Sequence, residues 1–404
     1  MSLSNVSRSL AQPVRYRVLA RYLSRIGLVV ILLRLIPILV SGINGEWLFT
    51  IHQLLALAVL SAICLPLARL RPPEDIKSNE VMVISVLSFI LAAALEAIPF
   101  IGAGLSDIDA FFEAVSGVTT TGLSTMTGLQ EHSTGVLFAR AWMQWYGGLG
   151  VVAFSVALLF LDRGIASHRL AMGEISDSRD FLGNARSHSI NLLVIYCVLT
   201  LSAIGLLLIA GASPLSAVTH ALSGVSTGGF SIYDSSLAAI DAWPVQFLMM
   251  LCGVAGAVSL PFYYRLSRTG SKELSGNPEV LALPVISIAI IGLLFLFLDS
   301  SSADVLSRLK IAVIMGLSAQ TTTGFANADV ASLDDTAKLC LIFSMLVGGS
   351  IGSTAGGIKI LRFLIVLRLL QFLSSVRRCR LMPCWSGNWA ATRWNRMTSK
   401  EPCC

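Results

Sequence analysis

Apolar residues in this chain fall into long unbroken runs, without the alternating polar faces of soluble helices or strands. The runs are at 27–44, 51–68, 81–101, 136–161, 189–211, 243–264, 279–298 and 336–372. All but the last, which is longer, are close to the roughly 20 helical residues that cross a hydrocarbon core of about 30 Å. The pattern predicts an all-α, polytopic membrane protein of about eight spans. Between spans three and four, five and six, and seven and eight lies a shorter helical segment that opens on a cap and ends in a Thr/Ser/Gly cluster. The first starts at Asp107 and ends in Ser116, Gly117, Val118, Thr119, Thr120, Thr121 and Gly122. The second starts at Ser213 and Pro214, a cap followed by proline at the first helical position, and ends in Ser226, Thr227, Gly228 and Gly229. The third starts near Ser302 and Ala303 and ends in Thr321, Thr322, Thr323 and Gly324. Span, short helix, glycine loop and span therefore recur roughly every 100 residues as an internal repeat.

Composition agrees with membrane insertion: of 404 residues 55% are apolar and 13% charged, the charged share being about half that of a soluble domain. Arg8, Arg15, Arg17, Arg21 and Arg25 precede the first run, which has no small-residue cleavage site behind it and reads as a retained, cytoplasmic amino terminus. With that orientation Arg69, Arg71, Lys77, Arg163, Arg169, Arg265, Arg268, Lys272, Arg362 and Arg368 all fall on the inner side. The net charge of +6 is topology charge, and no nucleic-acid partner is expected. The outer side gathers Glu46, Asp107, Asp109, Glu131, Asp234, Asp241, Asp299, Asp304, Asp329, Asp334 and Asp335, an acidic mouth that concentrates cations. Cys64, Cys197, Cys252 and Cys340 lie inside apolar runs as packing residues.

A half-length helix that stops inside the membrane leaves its last carbonyls without helical partners and directs the negative end of its dipole inward, which favours a cation. The returning backbone is tolerated at that depth only where it lines water or is buried in protein. Glycine permits dihedrals that turn carbonyl oxygens toward one axis, and rings of such oxygens replace the hydration shell of potassium in selective filters. Threonine hydroxyls add ligands or hold the loop. Arg34 and Glu96 lie within spans, where structural pairing is the expected role. Glu113, Arg308 and Lys310 on the short helices are expected to anchor loops.

The segment from Phe112 to Leu123 resembles the first filter of the Trk/Ktr/HKT superfamily of potassium uptake transporters, in particular its TrkH-like membrane subunit. The stretch Trp142-Met143-Gln144-Trp145-Tyr146-Gly147-Gly148-Leu149-Gly150 is similar to the opening of the next span in that family. Gly348-Gly349-Ser350-Ile351-Gly352-Ser353-Thr354-Ala355-Gly356-Gly357-Ile358-Lys359 resembles the loop that interrupts the last span of its third repeat. The resemblance implies that Gly122, Gly229 and Gly324 sit at a potassium site, with Thr119 to Thr121, Ser226 to Gly228 and Thr321 to Thr323 supplying neighbouring oxygens. It implies an intramembrane gate at Gly348, Gly349, Gly352, Ser353, Thr354, Gly356, Gly357 and Lys359. Potassium is then cargo and no organic cofactor is expected. The expected partners are membrane lipid, a second copy in a homodimer and a cytoplasmic ring of nucleotide-binding regulatory subunits.

About twelve helical residues from Thr336 to Val347 advance roughly 18 Å, which puts the glycine-rich break near mid-membrane, where broken helices mark transport sites and moving parts. Lys359 either guards an inner cavity or snorkels to the cytoplasmic face. The division expected is a basic terminus (1–26), a two-span hairpin (27–72), repeats at 78–163, 187–268 and 277–373, and an atypical cytoplasmic tail (374–404) in place of a fourth repeat. A chain without that repeat is expected to be inactive alone. The alternative function is a secondary carrier for another cation or small polar solute. An enzyme is not expected, because no metal pair or nucleophilic dyad falls at matching depths.

Overall fold

The computed structural model describes residues 13–70, 77–161, 181–298 and 304–381. Arg8, Arg71, Arg163, Arg169, Asp299, Ser302, Ala303 and the predicted tail beyond 381 lie outside the described residues. The chain divides at Leu361 into two compact units, and the first holds nearly all that follows. Every element named below is a helix.

Helices α1 (Tyr16–Ile43) and α2 (Trp47–Ala68) form a hairpin, turned at Gly45 with φ 74°. α3 (Ser78–Gly102), the short α4 (Asp107–Val118) and α5 (Thr134–Leu161) make one span, short helix, span unit. A second comprises α6 (Phe181–Ile209), the short α7 (Pro214–Val225) and α8 (Trp243–Ala257), which continues as α9 (Leu260–Thr269). After α10 (Lys272–Gly276), a third has α11 (Pro278–Phe297), α12 (Val305–Thr321) and α13 (Asp335–Leu346). α14 (Ile360–Leu381) follows the glycine-rich break.

α4 and α7 have 12 residues each, a rise of about 18 Å that cannot cross the hydrocarbon core. The caps are those the sequence suggests by type: Ser106 Oγ accepts from Asp109 N, and Ser213 Oγ accepts from Ser216 N with Pro214 at the first turn. The third short helix starts at Val305, behind Asp304, and at 17 residues is longer than the other two.

The long helices are inverted relative to those of a soluble protein. α1 buries Arg21, Ser24, Gly27, Arg34 and Ser41 while Val29, Leu32, Leu35, Ile36 and Leu39 stay exposed. Small and polar residues facing inward with leucine and isoleucine outward is the arrangement a bilayer selects. Five described helices are long and apolar enough to cross a membrane, or six with α8 and α9 taken together. Each short helix packs between the spans of its own unit. α5 also packs against α7, and α8 against α12, so the three units follow one another around a common centre.

One expectation is corrected. The sixth apolar run, 243–264, is not a continuous span but bends by 86° between Ala257 and Leu260. Pro261 sits in the first turn of α9, where it has no N–H to offer Ala257 O and its ring would clash with that carbonyl in a continuous helix. The backbone groups freed at the break are taken up by the glycine-rich loop: Ala257 O accepts from Ser350 N at 2.9 Å, and Leu260 N donates to Gly352 O at 3.1 Å.

Candidate functional site

The three short helices end in the same hydrogen-bonded closure. After α4, Thr120 (φ 57°) donates its N–H to Gly117 O at 3.1 Å, and Thr121 N reaches Ser116 O at 2.8 Å. After α7, Thr227 (φ 53°) donates to Gly224 O at 2.8 Å and Gly228 N to Ser223 O at 2.8 Å. At the end of α12, Thr322 (φ 54°) donates to Ala319 O at 3.2 Å and Thr323 N to Ser318 O at 3.0 Å. This is the Schellman closure, whose left-handed position glycine normally occupies. Threonine there carries roughly 1–2 kcal/mol of strain, and it does so three times. Two residues further on stand Gly122 (φ 81°), Gly229 (φ 81°) and Gly324 (φ 89°).

The closure satisfies the helix ends and leaves the loops' own oxygens available. Among the described residues the carbonyls of Thr120, Thr121, Thr227 and Thr322 accept no hydrogen bond. Several of the hydroxyls bond within their own loops. Thr119 Oγ1 lies 2.7 Å from Val115 O and 2.8 Å from Thr121 Oγ1; Thr321 Oγ1 lies 2.8 Å from Leu317 O and 2.7 Å from Thr323 Oγ1. Ser226 Oγ donates to Ser223 O at 2.9 Å in the second copy.

The three loops touch in chain order. A Cβ on Gly122 would collide with the carbonyl oxygen of Gly228, and one on Gly229 with that of Thr323. The nearest atom to a Cβ on Gly324 is Gly229 Cα at 4.0 Å. Glycine is required at the first two positions for close approach as well as for its dihedral.

Polar side chains from the spans fix these loops. Arg140 on α5, 2% exposed, pairs with Glu113 of α4 at 2.6 Å and donates to Ser231 O at 2.9 Å and to Ser124 Oγ at 3.1 Å. Its guanidinium lies 4.2 Å from the ring centre of Phe230. Gln144, also on α5, bonds to Ser223, Gly228 and Phe230. Glu113 has the anchoring role expected of it. Arg308 instead donates to Phe295 O at 2.9 Å and Leu298 O at 2.8 Å, closing the end of α11. Arg34 and Glu96, each expected to have a structural partner, pair with one another at 2.9 and 3.0 Å, joined by Tyr146 OH at 3.0 Å. Arg140 itself was not singled out in the sequence, although the criterion that finds Arg34, a charge inside an apolar run, finds it too.

The glycine-rich break begins after Leu346, where the twelve-residue count places it. It folds back on itself through Gly348 N to Ile358 O at 3.1 Å and Ile358 N to Leu346 O at 2.8 Å. A Cβ on Gly348 would strike the Gly356 carbonyl, so the two glycine pairs allow the two strands of the loop to meet. Thr354 reaches beneath the second short helix: its Oγ1 lies 3.1 Å from Val225 O and 3.0 Å from Gly256 O, and its N–H donates to Gly256 O at 3.2 Å. Gly356 N donates to Thr322 Oγ1 at 2.7 Å, and Gln320 Nε2 to Val347 O at 2.8 Å. Ser353 Oγ is bonded to Ser350 O within the loop. The carboxylate of Glu279, buried near the start of α11, accepts from Ile351 N and Leu361 N, each at 3.2 Å. Lys359 Nζ donates to Ala355 O, so its ammonium is folded onto its own loop. The loop thus lies directly against the ends of two short helices.

These elements define an integral membrane protein of repeated span, short helix, span units whose loops lie against one another in chain order. Comparison narrows this class. Residues 65–377 match the family model TrkH, described as a cation transport protein. The Trk system potassium uptake protein TrkI of Halomonas elongata is 32% identical over 88% of this chain and 73% of its own length. The Trk system potassium uptake protein TrkH of Salmonella typhimurium is 30% identical over 85% of this chain and 74% of its own. The crystal structure of the potassium transporter TrkH from Vibrio parahaemolyticus superposes with a TM-score of 0.77 at 25% identity, covering 93% of this chain and 79% of that one. The chain belongs to the TrkH family of cation transport proteins.

Proposed function

We propose that this protein is a pore-forming subunit for potassium uptake. Its filter is built by Thr119 to Gly122, Ser226 to Gly229 and Thr321 to Gly324, and its gate is the loop from Gly348 to Lys359. The observation that carries the filter is the threefold closure itself: a strained threonine, then a glycine two residues on, at the end of each short helix. Strain repeated at equivalent positions of an internal repeat marks a geometry kept for its use. The negative helix ends and the uncommitted carbonyls provide hard oxygen ligands suited to a dehydrated alkali cation. The loop beneath, tied to Val225, Gly256 and Thr322, would have to leave these partners for an ion to pass.

The names of the relatives support potassium as the cargo. In this reading the protein sits in the cell inner membrane with its amino terminus in the cytoplasm, acts as a homodimer and is regulated by a cytoplasmic nucleotide-binding ring. Units 78–163, 187–268 and 277–373 are its pore repeats. The deciding experiment is ion flux into liposomes containing the chain fused in frame to a fourth span, short helix, span unit, the context in which conduction is expected: rubidium and potassium uptake well above sodium uptake is the expected result. Uptake of a polar organic solute without rubidium would overturn the reading in favour of a carrier.

A further inference from the structure

Gln144 is fully buried on α5, in the repeat before the loop it serves. Its Nε2 donates to Gly228 O at 2.7 Å, and its Oε1 accepts from Ser223 Oγ at 2.7 Å and from Phe230 N at 3.1 Å. Those partners lie on both sides of Gly229 and at the end of α7. The orientation of the amide is dictated, because a carbonyl can only accept and a backbone N–H can only donate. A Cβ on Gly228 would run into this carboxamide, so the space left by that glycine is the space Gln144 fills. Arg140, one turn earlier on α5, holds Ser231 O. The carbonyl that Gln144 grips is also the one against which Gly122 packs.

We propose that Gln144 is a positioning residue for ion discrimination, setting the peptide planes on either side of Gly229 where the first and second filter loops meet. The proposal rests on the filter reading above. Only a side chain that donates on one edge and accepts on the other, at this reach, meets all three partners. Ionised glutamate has the shape but accepts on both edges, so it sets a carboxylate oxygen against Gly228 O and turns the peptide away. Leucine keeps most of the volume and meets none of the partners.

The test compares Gln144→Glu, Gln144→Leu and Ser223→Ala with Gly229→Ser in the full chain fused in frame to a fourth unit, the conducting context used above. One readout is potassium against sodium flux in liposomes. The other is thermal protection of the detergent-purified protein by potassium chloride over sodium chloride, which reads ion binding without transport. Both Gln144 variants are expected to lower the potassium-to-sodium ratio about tenfold, equivalent to about 1.4 kcal/mol. Ser223→Ala, which removes one donor, is expected to lower it about threefold. If Gly229→Ser loses discrimination while both Gln144 variants keep it, the role assigned to Gln144 falls and the filter stands. If Gly229→Ser also keeps it, the filter reading falls and takes the proposal with it. Should the Gln144 variants fail to fold, an unchanged ratio in Ser223→Ala overturns the proposal.

Discussion

The Cα of Gly229 is packed against the carbonyl oxygen of Thr323, leaving no room for a side chain between the second and third loops. Gly324 has the same kind of positive φ, 89°, but its added Cβ meets only open space and Gly229 Cα at 4.0 Å. The two glycines are therefore not equivalent, although the sequence repeat makes them look so. Gly324→Ser is expected to introduce about 1 kcal/mol of backbone strain. Gly229→Ser adds a collision with backbone that cannot move aside. We predict a larger fall in potassium-over-sodium discrimination for Gly229→Ser, measured by competitive flux; equal effects would sink this account of the packing.

Arg140 joins the first short helix to the loop after the second filter through Glu113 and Ser231. Removing one partner of a buried pair leaves an uncompensated charge, at a cost of about 3–5 kcal/mol. Arg140→Met should therefore sharply lower the unfolding temperature in detergent. The double variant with Glu113→Gln should recover part of the loss. No recovery would show that the hydrogen bonds to Ser231 and Ser124, rather than the charge pair, set the cost.

The same reasoning applies to Arg34, Glu96 and Tyr146, with graded outcomes. Tyr146→Phe removes one hydrogen bond to Glu96 and should cost about 1 kcal/mol. Arg34→Met strands Glu96 and should cost about 3 kcal/mol or more. Thermal unfolding that ranks these two variants the other way would refute the assignment of Arg34 as the structural partner of Glu96.

If the loop from Gly348 to Lys359 is a gate, weakening its ties should raise flux and leave selectivity alone. Thr354→Val keeps the volume and removes the hydroxyl that bonds to Val225 and Gly256. Glu279→Gln replaces the carboxylate that accepts from Ile351 and Leu361. Each change removes about 1 kcal/mol of restraint, so potassium flux should rise about fivefold at an unchanged potassium-to-sodium ratio. Shortening the loop between Gly349 and Gly357 should raise unregulated flux further. Variants that fold normally with wild-type flux throughout would remove the gate from the account.

Much of this architecture is carried by local signals. An apolar run long enough to cross a bilayer declares itself in the chain, as do Ser213-Pro214 opening a helix and Thr-x-Gly closing one, because capping and dihedral preference act over four or five residues. The break after Leu346 is legible for the same reason: glycine pairs cannot sustain a helix that apolar neighbours would otherwise continue. That Arg34 and Glu96 would each be paired was legible because burying a charge in hydrocarbon demands a partner.

The sequence could not say which carbonyl each filter glycine would meet, since Gly229 and Thr323 approach only after three units have packed in order about one centre. Nor could it foresee the break between Ala257 and Leu260 in an apolar run that reads as one span. That break is stable because Ser350 and Gly352, about ninety residues later, supply the hydrogen bonds the bent backbone lacks. Gln144 and Arg140 gain their roles in the same way, from partners that only tertiary packing brings within reach. Local chemistry therefore determined which segments cross, stop and turn. The close approaches that set the loops' geometry belong to the fold, because inside a membrane each freed polar group must find its partner wherever packing places one.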